Sequence, residues 1–300
     1  MKNPKTKLKT LCLSTCLIAL FSCEKNELNL EENNQKEVTS DQSSNLTKIG
    51  FIEGETSTYI SKLPDGSTKE YYVFKDMLLE KEAAKNIDEL IGLKPAENSG
   101  KATKAFVTNF TVNGNRTYKV AFVDFINAEH KKGCLDFINE FNNKLQTTIK
   151  LEAVFVSPSE ISKTPRDIAV WWENIVVDGN PYSFYAFADF PTQYGQPGYN
   201  VRMNTNFATD FKRVFMKSTL MHEFGHIFGL RHSDYKTRRS CGSTVGNEDN
   251  SIGENHIPFT DASGDSTNSI MKSCWNVGDD FKYLEEDIRA MRWLYGYKPN

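Results

Sequence analysis

Residues 221–234 read Met221-His222-Glu223-Phe224-Gly225-His226-Ile227-Phe228-Gly229-Leu230-Arg231-His232-Ser233-Asp234 and hold three of the chain's five histidines. On a helix, positions i and i+4 share a face, so His222 and His226 can offer two imidazole nitrogens to one ion. Glu223 lies one residue along, within reach of a water on that ion without being a ligand. Glycine accepts the positive φ of a helix end, so Gly229 lets the chain turn and bring His232 round as a third ligand. Three neutral imidazoles and one open position describe a catalytic zinc centre, because a structural site is closed by four protein ligands. The expected cofactor is one zinc ion on His222, His226 and His232, with Glu223 as the catalytic residue.

The chain opens on a different kind of signal. Lys2, Lys5, Lys7 and Lys9 precede the apolar run 11–21, too short to span a membrane as a mature helix. Residues 1–22 therefore read as an export signal. Leu20-Phe21-Ser22-Cys23 resembles a bacterial lipobox, with cleavage before Cys23 and a lipid anchor on that cysteine. Glu24, rather than aspartate, follows and points to the outer membrane or cell surface of a Gram-negative bacterium. An ordinary secretory signal, with a secreted product, is the alternative. Loss of four lysines and no acid takes the formal charge from −3 to 32 − 39 = −7. An acidic surface of this kind excludes nucleic acid as the expected partner.

Residues 23–48 are polar and nearly devoid of apolar side chains, and read as a flexible tether. Residues 49–104 form a small N-terminal segment, a candidate pro-segment. Within it, runs 56–63 and 68–74 flank Pro64-Asp65-Gly66 as a hairpin, and 76–91 has the apolar stripe of a helix. From 105 to 300 strands and helices mix. Runs 106–112 and 118–125 flank Asn113-Gly114 as a second hairpin. A helix is expected over 129–145, strands over 149–156, 167–172, 183–190 and 199–205, and the motif helix over 211–230. Residues 233–278 read as loop, and 282–294 as a closing helix.

The H-E-x-x-H-x-x-G-x-x-H stretch resembles the metzincin clan of zinc peptidases. Ser269-Ile270-Met271 is similar to that clan's Met-turn, with Met271 beneath the ligands, and Leu294-Tyr295-Gly296 resembles its C-termini. His232-Ser233-Asp234-Tyr235, the surroundings of Cys241, Gly246-Asn247-Glu248, His256-Ile257-Pro258 and Ser269–Cys274 narrow the resemblance to the dual-action HEIGH metallopeptidases. This resemblance implies an α+β, zincin-like metzincin fold: a mixed twisted sheet, an active-site helix and a loop-rich C-terminal subdomain over 105–300. It also implies an endopeptidase acting on extracytoplasmic proteins or peptides, with 185–190 either as the sheet edge that pairs with substrate or as an internal strand without substrate contact; a monomer is expected. An inactive metzincin-fold surface binding lipoprotein is the alternative. Ser273 stands where some metzincins place a tyrosine ligand, so the ligand set stays at three histidines. Cys241 and Cys274 lie in segments that the resemblance anchors beneath the metal, and pair as a disulfide. Cys134 is left as a buried free thiol. His256 is a candidate for the cleft, with an ordinary loop histidine as the competing reading. His130 is expected to be exposed, and Trp171 and Trp172 to be core and flank.

Overall fold

The computed structural model describes Leu46 and residues 56–74, 77–84, 105–108, 110–192, 194–242, 255–257 and 266–299. The export signal, Cys23 and nearly all of the tether lie outside the described residues. Strands β1 (Ser57–Lys62), β2 (Thr68–Phe74) and β3 (Met77–Glu80) lead into the single turn α1 (Lys81–Ala84). The chain continues through β4 (Phe106–Val107), β5 (Thr117–Val123), α2 (Ala128–Glu140), β6 (Lys150–Val156), β7 (Ile168–Glu173), β8 (Ala186–Asp189) and β9 (Asn200–Asn204). Helix α3 (Arg213–Ile227), β10 (Asn255–His256) and α4 (Glu285–Tyr295) complete it.

One sheet of eight strands runs β1-β2-β3-β8-β9-β7-β5-β6. Strands β6, β5, β7 and β9 are parallel, in register at Val120↔Ala153, Val120↔Ile168 and Val170↔Val201. β8 turns against them, pairing antiparallel with β9 at Ala188↔Val201. The alternation of β5 explains its central place: Tyr118, Val120 and Phe122 face the helices, while Ala121 and Val123 belong to the apolar cluster on the other face. Helices α2 and α3 cover the first face. Asn127 caps α2, its side-chain oxygen accepting from the amides of Glu129 and His130. Gly133 lets α2 approach α3, since a Cβ there would sit 2.6 Å from the Arg213 carbonyl.

The opposite face is closed by the N-terminal segment. Tyr59, Tyr71, Val73 and Leu78 pack on Ile175, Val177 and Phe187. Beneath them lies Arg202 of β9, fully buried, stacked on Tyr71 at 4.4 Å and Trp171 at 5.0 Å. It pairs with Asp189 at 2.8 Å and donates to Ser61 Oγ at 2.9 Å. Ser61 Oγ and the Lys62 amide in turn donate to Glu173.

Three expectations are corrected. The run 76–91 reads as helix in the sequence, but 77–80 is strand β3, and helix is confined to Lys81–Ala84 among the described residues. Met-Leu-Leu-Glu has helical propensity, yet pairing with β2 on one side and β8 on the other outweighs it. The hairpin across Asn113-Gly114 does not form. β4 pairs instead with β10, at Phe106↔His256 and Val107↔Asn255, and bridges to Leu230. The strand at 186–189 is not an edge either, because β3 lies along it in parallel at Met77↔Ala188 and Leu78↔Asp189.

Arg202→Ala would leave Glu173 and Asp189 buried without their cation. The unfolding free energy is expected to fall by about 3–5 kcal/mol, read from denaturant midpoints at constant slope.

Candidate metal centre

Helix α3 is buried almost all round, and His222, Glu223 and His226 are each fully inaccessible. The helix ends where the sequence places the glycine. Gly229 has φ +91°, and its amide closes on the His226 carbonyl at 2.9 Å. β4 grips the turn from outside: Thr108 donates its amide to the Gly229 carbonyl and Arg231 donates to Phe106, each at 2.9 Å. A side chain at 229 would meet the Phe110 carbonyl at 2.7 Å, so both φ and space require glycine. The chain then delivers His232, also fully buried.

The three imidazoles converge, with one nitrogen from each lying within 4.8 Å of the others. His222 Nδ1 lies 2.7 Å from the Ile270 carbonyl, and His226 Nδ1 lies 2.8 Å from the Leu230 carbonyl. A carbonyl only accepts, so both Nδ1 atoms carry the proton and both Nε2 atoms present lone pairs. Those two Nε2 atoms are 3.2 Å apart. Facing lone pairs at that distance repel, and a cation between them turns the repulsion into coordination. The donor set therefore fits a metal ion.

Met271 sits beneath. A Cβ on Gly225 would come within 2.1 Å of its Sδ, so the glycine inside the motif makes room for the Met-turn. The Ser233 amide donates to the Met271 carbonyl at 2.7 Å, tying the third-ligand loop to that turn. Asp234, fully buried, gathers three donors: the amide and hydroxyl of Ser273, and the amide of Ser240, all at 2.8 Å. Burial alone would raise its carboxyl, but these Ser240 and Ser273 donors outweigh it and hold it below the usual carboxylate range. Ser273 is thus spent on Asp234. The Cys241–Cys274 disulfide closes the same junction, and Cys134 is free and buried. Trp275 follows, its ring 4.2 Å from that of His222. Trp275 and the disulfide border a cavity of about 440 Å³, shared with Ser240, Thr267 and Lys272.

The Met-turn is braced from behind by α4. Asp287, in the first turn of that helix, accepts from Ser269 Oγ at 2.6 Å and from the Leu284 amide at 2.9 Å. Burial is the dominant effect on its carboxyl and pushes it up to about 6.

The weaker expectations resolve unevenly. His256 lies in β10, its ring 5.7 Å from Phe106 and outside the three-histidine cluster. Burial lowers its pKa, and Lys236 adds to this. His130 is not exposed: it is half-buried, tilted against Trp172 at 5.0 Å and hydrogen-bonded to backbone at Ala208 and Phe211. Trp171 backs the Arg202 network, and Trp172 packs on Phe125 and Phe211. Sequence reasoning passed over Asp234, Trp275 and Asp287. Asp287 carries a signal, an acid three residues after a helix start, but that pattern announces a helix cap rather than a brace for the Met-turn.

A buried helix bearing two histidines and a glutamate, a glycine turn and a third histidine form the centre of a metallopeptidase. The dual-action HEIGH metallo-peptidase family matches residues 72–295, and the chain belongs to that family. Among solved structures the chain is similar to two of myroilysin. One shares 14% identity at TM-score 0.41, covering 64% of this chain and 98% of that one; the other shares 14% at TM-score 0.38, covering 67% and 89%. No curated protein sequence matches it.

Gly225→Ala forces a methyl into the space of Met271 Sδ. Overpacking of this kind costs about 1–3 kcal/mol, and elemental analysis is expected to show lowered metal content. Asp287 yields a pH prediction. Its folded pKa, raised from 3.8 to about 6, means the folded state binds the proton more tightly. Its contribution is therefore complete below pH 3.8 and lost as pH rises through 6. In metal-free protein the stability of the wild type relative to Asp287→Asn is expected to fall by about 3 kcal/mol between pH 3.5 and 7, read by denaturation at each pH.

Proposed function

We propose that the protein is a zinc-dependent endopeptidase hydrolysing extracytoplasmic proteins or peptides. One observation carries the reading: the Nε2 lone pairs of His222 and His226 face each other at 3.2 Å, with His232 beside them and Glu223 on the same helix. That spacing suits two histidines that would hold one zinc ion, with His232 as the third residue able to hold it. Zinc, when bound, polarises the scissile carbonyl and brings the pKa of a water towards neutrality. Glu223 is the general base: it takes the proton from the attacking water and hands it to the departing amine. Its burial favours that role, because a carboxylate in a water-poor site acts on a positioned water rather than on bulk solvent.

Substrate does not add as a strand to β8 where β3 already pairs with Ala188 and Asp189. It reaches the centre past Phe190, whose ring lies 5.2 Å from that of His226. Residues 49–104 confer latency, in this reading, only by keeping β3 on β8. His256 stays a candidate for the cleft wall. The export signal and lipobox support a lipoprotein anchored through Cys23 at the outer membrane or cell surface, with secretion as the alternative. The Cys241–Cys274 bridge fits an oxidising compartment. A monomer without a nucleic-acid partner completes the proposal.

Glu223→Gln keeps size and helix but cannot accept the proton. Zinc content and thermal stability are expected to stay near wild type while peptide cleavage falls at least about a hundredfold. His226→Ala is expected to lose both metal and activity. Near-normal turnover by Glu223→Gln would remove the general-base mechanism. A wild type that holds zinc yet cleaves nothing across broad peptide libraries would leave the surface binding lipoprotein in its place.

A further inference from the structure

The two ligands on α3 both donate Nδ1–H to a backbone carbonyl, but the peptides behind those carbonyls lead to different places. Behind His226 the Leu230 carbonyl belongs to a peptide whose N–H, on Arg231, ends on the neutral Phe106 carbonyl at 2.9 Å. Behind His222 the Ile270 carbonyl belongs to a peptide whose N–H, on Met271, donates to Ser269 Oγ at 3.0 Å. Ser269 Oγ then donates to Asp287 Oδ1 at 2.6 Å. Every link points the same way. Imidazole N–H meets carbonyl, amide N–H meets hydroxyl, hydroxyl O–H meets carboxylate.

Hydrogen bonds aligned head to tail polarise one another, most strongly where water is excluded. Asp287 is 3% exposed, and among the described residues no lysine or arginine pairs with it. Its charge is therefore answered only by this chain, the Leu284 amide at 2.9 Å and the more distant Ile270 amide at 3.5 Å. A carboxylate at one end of such a chain draws the Nδ1 proton outward and enriches Nε2, the atom that faces the metal position. It also fixes the ring plane.

We propose that Asp287 is a positioning residue for the metal centre, acting on His222 through Ser269 and the 270–271 peptide. The proposal rests on the zinc reading above. Outer carboxylates that orient a ligating histidine typically change metal affinity or activity by about 10- to 100-fold. Here the influence passes through a peptide and a hydroxyl, so Ser269 is as necessary as the acid itself. A cap on α4 that merely braced the Met-turn would not distinguish His222 from His226.

The test uses the full chain, zinc-loaded, as wild type, Ser269→Ala, Asp287→Asn and Ser269→Thr. Two quantities are read: the zinc dissociation constant by chelator competition, and the Nδ1–H proton resonances of His222 and His226. Ser269→Ala and Asp287→Asn are expected to weaken zinc about 10- to 100-fold. They are also expected to move the His222 resonance upfield and leave that of His226 in place. Ser269→Thr, which keeps the hydroxyl, is expected to match wild type in both. If Asp287→Asn fails to fold, Ser269→Ala carries the comparison alone. The proposal is overturned if Ser269→Ala keeps wild-type zinc affinity and the wild-type His222 resonance, whatever happens to its melting temperature. It is equally overturned if both histidine resonances move together, since that reports general loosening. A wild type that binds no zinc overturns the zinc reading and this proposal with it; a wild type that binds zinc while its variants match it removes the proposal only.

Discussion

Two imidazole nitrogens lie 3.2 Å apart, each with its ring partner already committed to a carbonyl, and their facing lone pairs repel unless a cation lies between them. Much of the molecule serves to hold that arrangement. The sheet gives α3 a face to pack on, chiefly along β8 and then β9, and α2 comes close enough at Gly133 to bury its other side. With α3 buried over the turns that carry them, the histidine rings have few rotamers left. Loss of side-chain freedom has then been taken up by folding rather than by metal binding.

The third ligand is held by different means, because the chain beyond Gly229 has little regular structure. The two residues of β4, the Ser233–Met271 backbone contact, the Asp234 carboxylate and the Cys241–Cys274 bridge replace it. Each ties the His232 loop to a segment distant in sequence. The bridge closes a separation of 33 residues, worth about 3–4 kcal/mol in the chain-entropy description. Asp234 is the least replaceable of these, since it sits in the interior and satisfies three donors at once.

The N-terminal strands are part of the same body. β1 and β2 cover Arg202 and its carboxylates, and β3 lies along the strand whose end reaches the centre through Phe190. A candidate pro-segment that shares a buried ion network with three strands of the catalytic sheet has a large cost of departure. The same pairing protects β8, which would otherwise offer unpaired amides to any extended chain.

The sequence by itself brought the three candidate ligands together. His222, His226 and His232 are local to eleven residues, and helix periodicity plus one glycine turn suffices to bring them together. The motif and its neighbours also carried the family and the fold class, whereas the close fit of Gly225 over Met271 emerged only from the structure. What lay beyond reach was whatever depends on pairing across the chain. The run at 77–80 reads as helix alone and becomes strand only because β2 and β8 offer backbone partners. Residues 106–107 turn away from the expected hairpin because the Gly229 turn and β10 take their hydrogen bonds. His130 is drawn in by carbonyls some eighty residues on, at Ala208 and Phe211. Asp287 looks like a helix cap until the tertiary structure sets Ser269 against it and the Met-turn between it and His222. Local periodicity writes the ligands into the sequence. The sheet order and the supports behind the ligands arise from contacts whose energy exists only once distant segments meet.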